Sequence, residues 1–311
     1  MKKNLLFFAY IALFIGLAFN SCKGKDDDDP DPVDDRVDPS TIAASNLIAY
    51  FPFEGNGNDL IGNMTPGNAS TTTVTFPDGR RGKCFQGNDN GLKSGLLYTL
   101  PASSKIKTLK AFTISLWVKM VPNTLATTDV PEQMVFHLDG TGDWIWGNLF
   151  LLQHRNWPLG ESERDKNFAE MDCYFWKEDA AEWRGQRANG WFLDVVTVSQ
   201  WRHIICCYDN VTSQFHAYVN GVHITSFDGS EYPGIDRKQA EAGPALGDLK
   251  FTSPVHLAIG AWCDRLAGTS LQEDAWASPF KGQLDEFRIY DKALTSQEVK
   301  DLYDAEIKQV N

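Results

Sequence analysis

Glu170 and Asp172 stand two residues apart, and on a β-strand that spacing puts both carboxylates on one face. Paired acids on a common face are the equipment of glycosidic-bond hydrolysis, where one group attacks or activates water and the other moves a proton. A second kind of chemistry surrounds them. Trp144, Trp146, Trp157, Trp176, Trp183 and Trp191 fall within residues 121–200, interleaved with Asp143, Arg155, Asp172, Glu178, Arg184 and Asp194. Sugar rings have apolar faces that stack on aromatics and hydroxyls that need carboxylate, amide or guanidinium partners. Trp144, Trp146, Trp157, Trp176 and Trp183, with Glu170 and Asp172, are therefore the candidate ligand-binding residues. Each Trp has a plainer alternative, as cover for the core of a long insertion. If Trp144 and Trp146 sit on a strand, they share a face.

Other reactive patterns are missing. The sequence holds no G-x-S-x-G, no H-E-x-x-H and no P-loop, and its histidines stand singly at 137, 154, 203, 216, 223 and 256. After Cys22, cysteines remain at 84, 173, 206, 207 and 263, an odd count that cannot pair fully. Cys206 and Cys207 are neighbours that a strand turns to opposite sides, so a bond between them would be strained. No C-x-x-C pair offers a zinc site. These cysteines are expected mostly as small buried hydrophobes.

The elements that position these groups read as strands. Phe112, Ile114, Leu116, Val118 and Met120 alternate with Thr113, Ser115, Trp117 and Lys119, which predicts one buried face and one mixed face. Phe215, Ala217 and Val219 repeat the alternation and run into Asn220-Gly221, a strong hairpin signal. Leu284 to Tyr290 reads as another strand, with Leu284, Glu286, Arg288 and Tyr290 opposite Asp285, Phe287 and Ile289. One helix is expected near the C-terminus. Thr295 to Glu298 has capping-box spacing, and Val299, Leu302 and Tyr303 then share a face. Many strands with one late helix predict an all-β, antiparallel two-sheet β-sandwich of jelly-roll type over residues 46–311.

Composition narrows the function classes. The chain has 311 residues, 42% hydrophobic, with a net charge of −12. Such acidity repels phosphate backbones, so nucleic acid is not an expected partner. The negative charge is not confined to one tail: residues 40–311 alone carry −9.

The N-terminus reads as an address. Lys2 and Lys3 precede an apolar run from Leu5 to Phe19, too short for the ~20 residues of a spanning helix, so 1–21 is expected to be a signal peptide. Ser21-Cys22 at its end resembles a bacterial lipobox, which implies acylation of Cys22 and attachment to a membrane surface. Phe19 stands where the usual motif has Leu. Residues 22–45 then form an acidic tether, Asp26 to Asp29 followed by Pro30, Asp31 and Pro32, which has too little apolar surface to fold. An acidic run just after the Cys is similar to the surface-export signal of Bacteroidetes lipoproteins, which implies an outer-membrane location facing outward.

Five segments in order resemble the laminin-G-like members of the concanavalin A-like superfamily. They are Ala49 to Asn56, Gly82 to Gly87, Phe112 to Val118, the stretch Trp201-Arg202-His203 through Tyr208-Asp209 to Asn220-Gly221, and Phe280 to Tyr290 with Ala293-Leu294. The resemblance implies the fold; it says little about activity, because lectins, hydrolases and adhesion modules share that fold. At His203 it implies a packing and hydrogen-bonding role. It also implies a Ca²⁺ ion between the opening and closing strands, at positions that here are Glu54, Asn56 (side chain or backbone carbonyl) and Asp285. Hydrolases of the superfamily carry E-x-D-x-x-E or E-x-D-x-x-x-E on one strand. Here the third position holds Phe175 or Trp176, and Glu178 lies too far along. The expectation is thus a surface lipoprotein with a non-catalytic glycan-binding domain. A divergent glycoside hydrolase and a protein-binding adhesin are the alternatives.

Overall fold

Alternating apolar residues pleat the chain into strands wherever one side can be buried. The computed structural model describes residues 38–67, 72–88, 93–120, 132–140, 147–154, 170–178, 186–188, 200–227, 230–231, 233–240, 242–268 and 277–308. In chain order these form β1 (Leu47–Phe51), β2 (Phe85–Gln86), β3 (Leu96–Thr99), β4 (Phe112–Lys119), β5 (Glu132–Leu138) and β6 (Leu149–His154). There follow β7 (Glu170–Phe175), β8 (Gln186–Ala188), β9 (Arg202–Asp209), β10 (Gln214–Val219), β11 (Val222–His223), β12 (Ser226–Phe227) and β13 (Ser230–Glu231). The last elements are β14 (Ile235–Asp236), β15 (His256–Ile259), helix α1 (Cys263–Ala267), β16 (Ala277–Pro279), β17 (Gln283–Tyr290) and helix α2 (Ser296–Ile307). Among the described residues no helix is long and apolar enough to cross a bilayer.

Two large sheets result, as expected, with β12 and β13 paired as a separate two-stranded ribbon. The first runs β1-β17-β4-β9-β10-β11, with β14 against β10 and β2 against β17. The second runs β3-β15-β5-β6-β7-β8, with β16 beside β5. All pairings are antiparallel except β16 with β5. Between the sheets, Phe51, Ile114, Leu116, Phe287 and Ile289 meet Tyr98, Phe136, Leu151, Cys173 and Phe175, all fully buried. Phe136 and Phe287 touch across the gap with ring centroids 5.3 Å apart. Burying each such ring contributes roughly 1.5–3 kcal/mol, which is why the alternation dictates the sandwich. The Asn220-Gly221 hairpin forms with both residues at positive φ, 51° and 75°, the conformation that a two-residue primed turn needs.

The sequence pattern misses two features. On β4 the mixed face is buried as well, because α2 lies over it. The predicted capping box is present, with Thr295 Oγ1 accepting from Glu298 N and the Glu298 carboxylate accepting from Thr295 N. Val299, Leu302 and Ala305 then pack on Ile205, Cys207, Tyr218 and Tyr290. Beneath the helix Thr113, Ser115 and Trp117 are buried but partnered: Thr113 Oγ1 donates to Lys292 O at 2.7 Å, and Trp117 Nε1 donates to Glu306 at 2.6 Å. The second feature is a bulge in β17. Its register with β4 shifts between Asp285 and Arg288, and Glu286 takes φ 52°. Leu284, Phe287 and Ile289 therefore all enter the core, whereas strict alternation set Leu284 opposite Phe287 and Ile289.

Helix α1, outside the expected single helix, is five residues long and ends at Gly268 in the left-handed region, φ 75°. The five cysteines at 84, 173, 206, 207 and 263 are buried free thiols. Cys206 faces the inter-sheet core and Cys207 the α2 side, on opposite sides as the strand periodicity requires.

Candidate functional site

The outer face of the second sheet carries Asp172, one of the two predicted carboxylates. Across β5, β6 and β7 the register sets Met134 opposite Leu152, His137 opposite Phe150, Phe150 opposite Tyr174, Leu152 opposite Asp172 and His154 opposite Glu170. Opposed residues share a face, and the intervening Leu149, Leu151, Met171, Cys173 and Phe175 belong to the core. Asp172 and Tyr174 thus point away from that core on β7, with Phe150 and His137 beside them.

Aromatic packing organises this face. Phe150 stacks on Tyr174 at 4.9 Å with an 18° interplanar angle. Trp262 approaches Phe150 at 6.1 Å and His137 at 5.1 Å. Trp262 reaches this position because Gly260, at φ 84°, passes so close to Phe85 that a Cβ would sit 2.4 Å from its ring. The chain then turns into α1. Cys263 N donates to His137 Nδ1 at 3.1 Å, and a backbone amide can only donate, so Nδ1 accepts and the neutral ring keeps its proton on Nε2. Asp172 is fully buried, with the Tyr174 hydroxyl 3.5 Å from its Oδ2. Phe150 and Trp262 are buried, while Tyr174 and Trp176 are half-exposed.

The remaining predicted residues separate. Trp176 follows the strand, its amide donating to Asn148 O at 2.8 Å. Glu178 leaves the face altogether: its amide donates to Lys250 O, and its carboxylate pairs with Lys250 Nζ at 2.6 Å. The Glu170 side chain, Trp144, Trp146, Trp157, Trp183 and Cys22 lie outside the described residues. Sequence reasoning passed over His137, Phe150, Tyr174 and Trp262. Tyr174 was within reach, since it continues the Glu170 and Asp172 parity; Trp262 was not, since only the fold brings it there.

Glu54, Asn56 and Asp285, the positions of the calcium expectation, each accept from a backbone amide. Glu54 and Asp285 converge on one turn, but their oxygens face N–H donors. Asp285 accepts from Arg81 N and Glu286 N, each at 2.9 Å, and Glu54 accepts from Lys83 N at 3.0 Å. Asn56 Oδ1 accepts from Asn58 N at 2.8 Å in a local turn. Gly79 is required there, since a Cβ would lie 2.6 Å from Asp285 Oδ2. A calcium ion wants roughly six to eight oxygens pointing at it. Among the described residues no group of three or more His, Cys, Asp or Glu side chains could hold a metal ion. Burial pushes the Asp285 carboxyl up to about 8, against the pull of the amides it accepts from.

His203 has the structural role expected of it. It is buried, its Nε2 lies 2.9 Å from Ser115 Oγ, and burial pulls its pKa down to about 3, so the ring is neutral.

No family model matches the sequence, and no curated protein matches it. Solved structures of similar fold exist. The binding domain of Paraclostridial Mosquitocidal Protein 1 matches at 18% identity and TM-score 0.50, over 84% of this chain and 52% of that one. The binding domain of botulinum neurotoxin DC, in complex with rat synaptotagmin II, matches at 11% identity and TM-score 0.53, over 86% and 52%. The same domain in complex with SialylT matches at 12% identity and TM-score 0.52, over 86% and 52%. The chain spans about half the length of these binding domains. At such identities the likeness is one of fold, a two-sheet β-sandwich.

Proposed function

We propose that the domain captures a glycan, without cleaving it, on the outer face of the second sheet. The observation that carries this reading is the β7 row, where Asp172 and Tyr174 alternate beside the Phe150, His137 and Trp262 cluster, and Glu170 joins the proposal by its shared strand parity. Tyr174 and Trp176 are the half-exposed aromatic planes there, backed by the buried Phe150 and Asp172, and such planes suit the apolar face of a pyranose ring. Trp144, Trp146, Trp157 and Trp183 belong to the proposal as further stacking residues from the same long segment. A non-catalytic role is supported by the positions where a third acid would stand: Phe175 is in the core, and Glu178 is tied to Lys250. Binding domains of similar fold include one in complex with SialylT, which agrees with this reading.

The rest of the proposal concerns address and ancestry. The domain is proposed as a laminin-G-like member of the concanavalin A-like superfamily, held at the outer surface of a Bacteroidetes-type cell by an acyl chain on Cys22. Replacing Cys22 with Ala should leave the chain unlipidated, and neutralising Asp26 to Asp29 should retain it on the periplasmic side. Whole-cell protease accessibility reads both. The glycan assignment is tested by array binding of the purified protein alongside a reducing-sugar assay. Binding without sugar release supports it, and release abolished by Glu170→Gln overturns it in favour of a hydrolase.

A further inference from the structure

Two histidines at the edge of the first sheet have no part in the face described above. His216 on β10 and His223 on β11 flank the Asn220-Gly221 turn. With Tyr218 opposite His223, both histidines fall diagonally on the Tyr218 face. His216 Nδ1 and His223 Nε2 are 3.2 Å apart, with the rings inclined at 50°. Two nitrogen ligands on one tetrahedral ion, at about 2.0–2.1 Å each, stand roughly 3.3 Å apart, so the rings already have the bite of a chelating pair.

Three further features suit an ion there. Burial holds both imidazoles below their ordinary range, and His216 adds to the effect at His223, so both rings are neutral and keep a lone pair at neutral pH. Gly234 packs against the pair: a Cβ there would lie 2.4 Å from His216 Cε1, 2.9 Å from His216 Nδ1 and 3.1 Å from Gln214 Oε1, so that nitrogen and that oxygen border the same glycine. Gln214 Nε2 donates to Asp236 Oδ1 at 3.1 Å, which holds the amide in that orientation. Both histidines are half-exposed, so water can complete a coordination shell.

We propose that His216 and His223, with Gln214 Oε1 as an oxygen donor, bind a divalent transition-metal ion of the imidazole-preferring class: Zn²⁺, Ni²⁺ or Cu²⁺. The ion takes the place of the proton between the two rings, which moves to the other nitrogen of the donor ring. The site lies on the first sheet and does not depend on the glycan reading.

Calorimetric titration of the tag-free full chain with ZnCl₂ and NiCl₂ tests the proposal. One ion per chain is expected in the micromolar range, with affinity falling about tenfold or more in His223→Ala and in His216→Ala and by less in Gln214→Ala. Electron paramagnetic resonance of the unaltered chain with one equivalent of Cu²⁺ should show two imidazole nitrogens on the ion, and this readout stands even if a variant fails to fold. Zn²⁺ affinity unchanged in His223→Ala, wild-type binding weaker than millimolar, or a Cu²⁺ spectrum with fewer than two imidazole nitrogens would each overturn it.

Discussion

Arg288 of β17 and Glu306 of α2 form an ion pair sealed from water, and it fastens the C-terminal helix to the sheet. Glu286 accepts from Arg288, Arg81 and the Tyr50 hydroxyl, and Trp117 donates to Glu306, so the charges sit within a filled hydrogen-bond network. Removing one partner strands a buried charge. Glu306→Ala should cost about 3–5 kcal/mol in urea unfolding, while the paired change Arg288→Met with Glu306→Leu should recover much of that loss. Equal destabilisation by the single and paired changes would show that packing, not charge, holds the helix.

The Asp285 carboxyl gives stability a pH dependence of definite sign. Its pKa stands at about 8 in the folded chain against an ordinary value of 3.8, so the folded state keeps a proton that the unfolded chain has released. Its contribution is full at low pH and is lost as pH rises through that window. Asp285→Asn carries no titrating proton, so its stability profile should be flatter between pH 4 and pH 8, although the amide places an N–H against a backbone N–H and lowers stability at all pH by about 1–3 kcal/mol. A variant with the wild-type slope would assign that slope to another group.

The same geometry makes a prediction about calcium. With Glu54 and Asp285 already accepting from the turn's amides, millimolar CaCl₂ and EDTA should give the same melting temperature. A ligand bound by the native state alone raises it. A rise of several degrees that disappears in Asp285→Ala would restore the calcium site.

Asp172 is buried where a nucleophile or its helper would stand in a hydrolase. The account expects no reducing sugar from β-glucans or host glycans with wild type, and none with Asp172→Asn. Turnover that Asp172→Asn abolishes would convert the glycan face into an active site.

Much of the fold was legible because burial on one side writes itself into period two. The strands around Phe112, Phe215 and Leu284, the Asn220-Gly221 turn and the Thr295 cap were all readable from local pattern. What escaped depends on distant partners. Trp117 reads as one residue of a mixed face until α2 covers it, and Glu286 reads as an ordinary strand position until its left-handed backbone shifts the register. At the site, the shared parity of Glu170 and Asp172 was visible, but Trp262 arrives from about ninety residues further along the chain through the tight passage at Gly260. Glu54 and Asp285, which the resemblance set together, accept from Lys83 N and Arg81 N of one turn. Their orientation toward amides was hidden, because donors on a backbone leave no trace in residue type.

The central claim is that the Tyr174 face holds a sugar. The most direct measurement is glycan-array binding by wild type, Tyr174→Ala and Trp176→Ala, with melting temperature recorded on the same preparations. Truncating an aromatic anchor typically costs about 2 kcal/mol of binding, close to thirtyfold in affinity. The account predicts that wild type binds at least one glycan and that Tyr174→Ala loses that affinity while keeping its melting temperature within a few degrees. A wild type that binds no glycan, or a loss that appears only with unfolding, would contradict it.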